Sequence, residues 1–230
     1  MEFYKPLIQE IASLTAELEK RSFSYDLDLA WEDAGYNQVI MKRDTAFELN
    51  GSGFNLVTDE NVKDEVLVVG DDLGEIKENC SFVRISILQL ADEKDEQKAY
   101  NLIRKTEYVK YHLFPSGYMM RTSSRLHKEA VRVSKSAIKQ GISFQKVGSL
   151  MINKYKENPA VKGVKLIFIT HTKAPFASFE KIAIKGHDIT ETLNHVMNSV
   201  NFDCSTCNLK PICDEVEGMK ELHFKNAGMS

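Results

Sequence analysis

Cysteine is scarce in this chain of 230 residues. There are four, and three of them (Cys204, Cys207 and Cys213) crowd into a short stretch near the C-terminus. So few cysteines exclude a disulfide-stapled scaffold, and their clustering points to metal or redox chemistry instead. Proline is also sparse, tryptophan occurs once at Trp31, and no segment is low in complexity or repeated, so no flexible linker divides the chain. No apolar run approaches the roughly 20 residues that span a bilayer. The opening MEFYKPLIQEIASLTAELEKR lacks the apolar core and cleavage site of a signal peptide, so a cytoplasmic protein with no membrane contact is expected. The formal net charge is −3, which gives no overall drive toward nucleic acid, so any basic site has to be local. A glycine-rich phosphate loop, a nucleophile elbow and a hydrolytic triad are all missing from the sequence.

What is present supports an α+β fold. Leu7, Ile11, Leu14 and Leu18 recur at helical spacing, with Pro6 suited to a first turn. The runs NQVIMK, TAFELN, GFNLVT, EVLVVG and SFVRISILQL read as short strands, with Gly51, Gly53, Gly70 and Gly74 as turns between them. Residues 38–90 therefore form a mainly antiparallel sheet region. Packed helices follow, over about 91–113, 123–140, 144–157, 177–185 and 189–200, with VKLIFIT as one further strand. The expected organisation is a helical segment over 1–36, an α+β domain over 37–201 and a short metal-binding tail over 202–230.

The segment GYMMRTSSRLHKEAVRVSKSAIKQG carries Arg121, Arg125, Lys128, Arg132, Lys135 and Lys139 at steps of three and four residues. If 123–140 is a helix, those steps align the cations on one face. The row is either a solvated surface or a site for a phosphate-bearing ligand or an acidic protein, and arginine is the better phosphate fork. No nucleic-acid module or aromatic platform accompanies it.

Cys204-x2-Cys207-x5-Cys213 has the spacing of thiolates gripping one metal, and His223 lies where a fourth ligand belongs. Zinc in a closed Cys3His site and an iron–sulfur cluster both fit. Cys80 reads as an ordinary strand cysteine. In GDDLGE, the carboxylates of Asp71, Asp72 and Glu75 read as a turn more than a cation site, and His187 and His195 as surface or packing residues.

The succession TAFEL, EVLVVGDDLGEI, VRVSKSAIKQGISFQKVGSLMINKYKENPAVKGVKLIFIT and Cys-x2-Cys resembles the carbon monoxide dehydrogenase/acetyl-CoA synthase family. The similarity is to the middle domain of its synthase subunit and the start of its metal domain. The resemblance implies a [4Fe-4S] cluster, of which Cys204 and Cys207 match the first ligand pair, Cys213 the third ligand after a shortened loop, and His223 the fourth position. It also implies coenzyme A binding by middle-domain arginines. Arg132 aligns with that set, and Arg121 and Arg125 fall nearby. The Cys-Gly-Cys tripeptide that holds the family's second nickel has no match, so an accessory or redox role beside other subunits is expected rather than independent acetyl-CoA synthesis. The reading of another class is a non-enzymatic, zinc-stabilised binding module whose basic helix contacts an acidic protein.

Overall fold

The β-branched and aromatic runs pair into one sheet. In a computed structural model of the chain, the residues described are 2–36, 39–40, 46–91, 93, 95–123, 127–197, 207–216, 218–219 and 221–222. Among them are seven strands: β1 Lys20–Ser24, β2 Ala46–Thr58, β3 Glu65–Val69, β4 Cys80–Leu90, β5 Tyr118–Ser123, β6 Lys128–Ser134 and β7 Val161–Ile169. Their order across the sheet is β1-β3-β7-β4-β2-β6-β5. The β2/β4 and β3/β7 pairs are parallel and the other four pairs antiparallel, so the α+β expectation holds with a mixed sheet, but within 38–90, where a mainly antiparallel region was expected, the β2/β4 pair is parallel.

Helices cover both faces. They are α1 Lys5–Leu14, α2 Glu96–Tyr108, α3 Lys135–Lys139, α4 Phe144–Lys156, α5 Phe176–Met197 and α6 Lys210–Glu215. Strand alternation puts Val66 and Phe168 on the face that meets Gly148 of α4, where an added Cβ would lie 2.5 Å from Val66. Leu56 faces the other way and packs on Gly186 of α5, close to Leu7 of α1. The α4 side is anchored by stacked Phe82, Phe144 and Phe168 rings, with centroids 4.5 to 6.3 Å apart. The GDDLGE turn serves this packing. The Asp72 carboxylate accepts the Phe144 amide at the start of α4 at 2.7 Å, and Glu75 pairs with Arg21 of β1.

Four local expectations are corrected. The segment 1–36 is not helical throughout: α1 ends at Leu14, and β1, with residues alternating in burial, joins the sheet beside β3. The helix over 123–140 does not form: β5 ends at Ser123, β6 covers Lys128–Ser134, and helix begins only at Lys135, where the Ser134 hydroxyl caps it. Buried Glu129, Val131 and Val133 recur at period two, and β6 pairs on both sides, so sheet pairing overrides a weak helical pattern. Gly51 and Gly53 are not turns but lie inside β2, where a Cβ would meet the Phe82 carbonyl oxygen at 1.6 Å and the Glu129 carboxylate at 2.1 Å. The two helices expected over 177–200 are one helix through Gly186, a residue kept small by its contact with Leu56.

At the centre of the sheet, Arg84 of β4 reaches past Gly53 of β2 to Glu129 of β6. Its Nε and Nη2 donate to the carboxylate at 2.9 and 2.8 Å, and Nη1 donates to Ser86 Oγ at 2.7 Å. Tyr155 of α4 extends the chain to Asn55, whose side-chain amide donates to the Thr106 carbonyl of α2. Both charged side chains are 1% exposed or less. Burial opposes the guanidinium's charge, but the adjacent Glu129 carboxylate outweighs it and raises the Arg84 pKa above its ordinary value.

Gly53→Ala is expected to cost about 2 kcal/mol of unfolding free energy, because it overpacks this pair. Gly74→Ala, with open space around it, is expected to stay within about 0.5 kcal/mol. Arg84→Met is expected to cost about 3 to 5 kcal/mol, and adding Glu129→Leu to restore most of that loss. Urea denaturation of the purified variants measures all four.

Candidate functional site: a cationic cleft on the sheet

Sheet register builds an open cleft of about 640 Å³ on the α5 face. One cross-strand row reads Ser81, Asn50, Ala130 and Arg121, and the next begins Val83, Ser52 and Lys128. Residues directly opposite one another share a face, so small side chains form the floor, and Arg121 and Lys128 stand toward the sheet's outer end. Phe176, Ala177 and Glu180, from the first turns of α5, make the facing wall. The small floor lets a ligand approach the strands, and the amino end of a 22-residue helix adds positive potential. Glu180 lies 3.9 Å from Lys128 and offsets part of the charge.

The six predicted cations do not make one helical row. Arg121, Lys128 and Arg132 still share a face, because β5 and β6 pair in a register that aligns Met119 with Arg132 and Arg121 with Ala130. Arg132 is taken up within the chain: its Nε pairs with Glu48 and its Nη1 donates to the Ile40 carbonyl at 2.9 Å. Lys135 and Lys139 leave the sheet on α3. Arg125 lies outside the described residues. Among the described residues, Arg121 and Lys128 are the predicted cations that line this cleft.

Of the predicted metal ligands, Cys204 and His223 lie outside the described residues. Cys207 and Cys213 are half-buried thiols. The Cys207 carbonyl accepts the Lys210 amide at 3.2 Å in the turn that opens α6, and Cys213 packs from α6 toward the core. Two soft donors on one short turn-helix unit have the right chemistry for a thiophilic metal. No cluster of three or more His, Cys, Asp or Glu side chains suited to a metal occurs among the described residues. Cys80 begins β4, where burial pushes its thiol pKa up. Among the described residues, no helix is long and apolar enough to cross a membrane.

Residues 31–174 match the family described as the CO dehydrogenase/acetyl-CoA synthase complex beta subunit. The chain belongs to that family. The matched region holds β2 through β7, and so carries the Arg84–Glu129 pair and all of the cleft except its α5 wall. No curated protein matches the chain.

In this beta-subunit relative, two histidines meet beside the strand that carries Lys128, a contact that makes His187 a packing residue as expected and that spacing alone did not reveal. His127 precedes Lys128 with φ +46°, is 6% exposed, and its Nε2 has no partner among the described residues. Its ring meets His187 of α5 at a centroid distance of 4.5 Å. Sixty residues separate the two in sequence, so only docking of α5 on the sheet brings them together. Burial first, then the neighbouring His187 and Lys110, depress the His127 pKa from 6.5 to about 4.

Folded His127 stays neutral where the unfolded chain already binds a proton. Its contribution to stability is therefore complete above about pH 6.5 and is lost as the pH falls toward 4. Asparagine does not titrate in this range and tolerates a positive φ. His127→Asn is therefore expected to flatten the decline of stability over that window, as read by denaturation midpoints at stepped pH.

Proposed function

We propose that this member of the beta-subunit family is an acetyl-CoA synthase-like component that binds coenzyme A in the sheet cleft and carries an iron–sulfur cluster in its cysteine tail. It would work beside other subunits of a CO dehydrogenase/acetyl-CoA synthase-type assembly or a redox protein. The observation that carries the first part is the cleft itself. Within the matched region, Arg121 and Lys128 flank a floor of serine, asparagine and alanine, open to a ligand several atoms wide. A diphosphate fits that chemistry: the guanidinium supplies a planar fork, the ammonium a point charge, and the Asn50, Ser52 and Ser81 side chains neutral hydrogen-bonding groups. Glu180 would orient toward Lys128 and leave Arg121 as the main phosphate contact.

In the tail, Cys204, Cys207 and Cys213 with His223 are the ligand set. Three thiolates and an imidazole suit a cluster, which would supply electron transfer when bound. Zinc in the same ligands is the competing occupant. The accompanying idea of a basic helix contacting an acidic protein loses its main element, since most of that stretch is strand.

Calorimetric titration at low salt is expected to show saturable coenzyme A binding that Arg121→Ala weakens about tenfold, the loss of one charge-assisted contact. Absence of saturable heat with folded protein overturns the ligand assignment. Protein purified without oxygen is expected to be brown with broad visible absorption, lost in Cys207→Ala and Cys213→Ala. Colourless protein carrying stoichiometric zinc would replace the cluster with a structural metal.

A further inference from the structure

The outer edge of β5 borders a second groove, which shares Arg121 and Thr122 with the cleft but runs along the strand's edge. It holds about 540 Å³. Five consecutive strand residues, 118–122, line one side, and Tyr111, Phe114 and Pro115 stand opposite. A groove on one face of a sheet touches alternate residues, whereas one that touches every residue in turn runs along a strand's edge.

That edge is unpaired among the described residues, because β5 ends the sheet order. Its hydrogen-bond phase follows from the ladder. The Ser134 amide donates to the Gly117 carbonyl at 2.8 Å, which makes that pair a bonded one. By antiparallel alternation, Met119 and Arg121 bond to β6, and the amides and carbonyls of Met120 and Thr122 point outward. An outward row of this kind is a template for an added strand.

We propose that the β5 edge is a docking groove for an extended, acidic segment of a partner protein, which adds an eighth strand beside β5. The two faces of the edge set the partner's pattern. Met119 and Arg121 share a face with Arg132, while Tyr118 and Met120 share the other, beside the apolar wall of Tyr111 and Phe114. Alternate side chains of the added strand therefore meet the face of Met119 and Arg121 and the apolar surface in turn. Of the cations that line the groove, Arg132 is paired with Glu48 and Lys110 with Glu107, whereas Arg121 is exposed and has no ion pair among the described residues, so the position that meets Arg121 selects Asp or Glu. The same charge disfavours a second copy in the register centred on Arg121, where antiparallel pairing of two β5 edges brings two Arg121 side chains together.

The probe is an eight-residue peptide of alternating glutamate and valine, fluorescently labelled, with a lysine–valine peptide as its opposite. A third peptide carries N-methyl groups on alternate amides, which blocks strand pairing without touching the protein. Saturable anisotropy at low salt is expected for the glutamate peptide, with new protection of the Met120 and Thr122 amides in hydrogen exchange. N-methylation is expected to weaken binding at least about tenfold, the equivalent of one or more net hydrogen bonds. Thr122→Pro removes one outward amide from an edge position that tolerates proline and is expected to do the same, while Thr122→Val binds as the parent. Absence of saturable binding, equal binding of the lysine peptide, or binding indifferent to N-methylation would each overturn the proposal. So would a concentration-dependent dimer that Thr122→Pro abolishes, since it would make the occupant a second copy. None of these outcomes depends on coenzyme A binding, which is read by its own titration.

Discussion

The buried ion pair between Arg84 and Glu129 is the constraint on which the sheet's central geometry rests. It crosses from β4 to β6 over β2, and the crossing requires glycine at position 53, because any side chain there would occupy the carboxylate's place. A charge pair removed from water is favourable only in one arrangement, with its remaining polar atoms bonded. Ser86, Tyr155 and Asn55 complete that arrangement and tie it to α4 and, through the Thr106 carbonyl, to α2. A slip of β4 or β6 by one residue would turn Arg84 or Glu129 to the opposite face, and a slip of β2 would replace Gly53 beneath the pair by a residue with a side chain.

The cleft inherits its form from that register. The same pairings that hold Glu129 against Arg84 on one face place Asn50, Ser52, Ser81, Arg121 and Lys128 side by side on the other. A structural face and a solvent-open face are thus two sides of one alignment. The cation pair at the cleft is not set by helical spacing, as the sequence suggested, but by strands paired across a sheet. Arg132, the residue that aligned best with the family's coenzyme A-binding set, is held by Glu48 and the Ile40 carbonyl, which assigns it to fixing the chain beside β6.

Elements whose evidence is local were legible in advance. The apolar runs of β3, β4 and β7, the helix α4 over about 144–157, and the Asp72 turn each depend on a few neighbouring residues and were read correctly. The segment from Ser123 to Gln140 was not. Its cations recur at three and four, its buried residues at two, and only strand partners on both sides decide between those periods. Glycine misled for a related reason: Gly51 and Gly53 read as turns, yet their smallness answers to groups on other strands. The contact between His127 and His187 gave no sequence signal, since it is made by the packing of α5.

The amino-acid order by itself determined the family, the α+β class and the chemistry within reach: clustered thiols in the tail and a basic stretch in the middle. These follow from residue type and short-range spacing, which survive without knowledge of the fold. Tertiary structure decided which cations share a surface, which are consumed by carboxylates, and where a strand edge is left unpaired. Those are properties of residues far apart in the chain, and they exist only once sheet pairing has chosen a register.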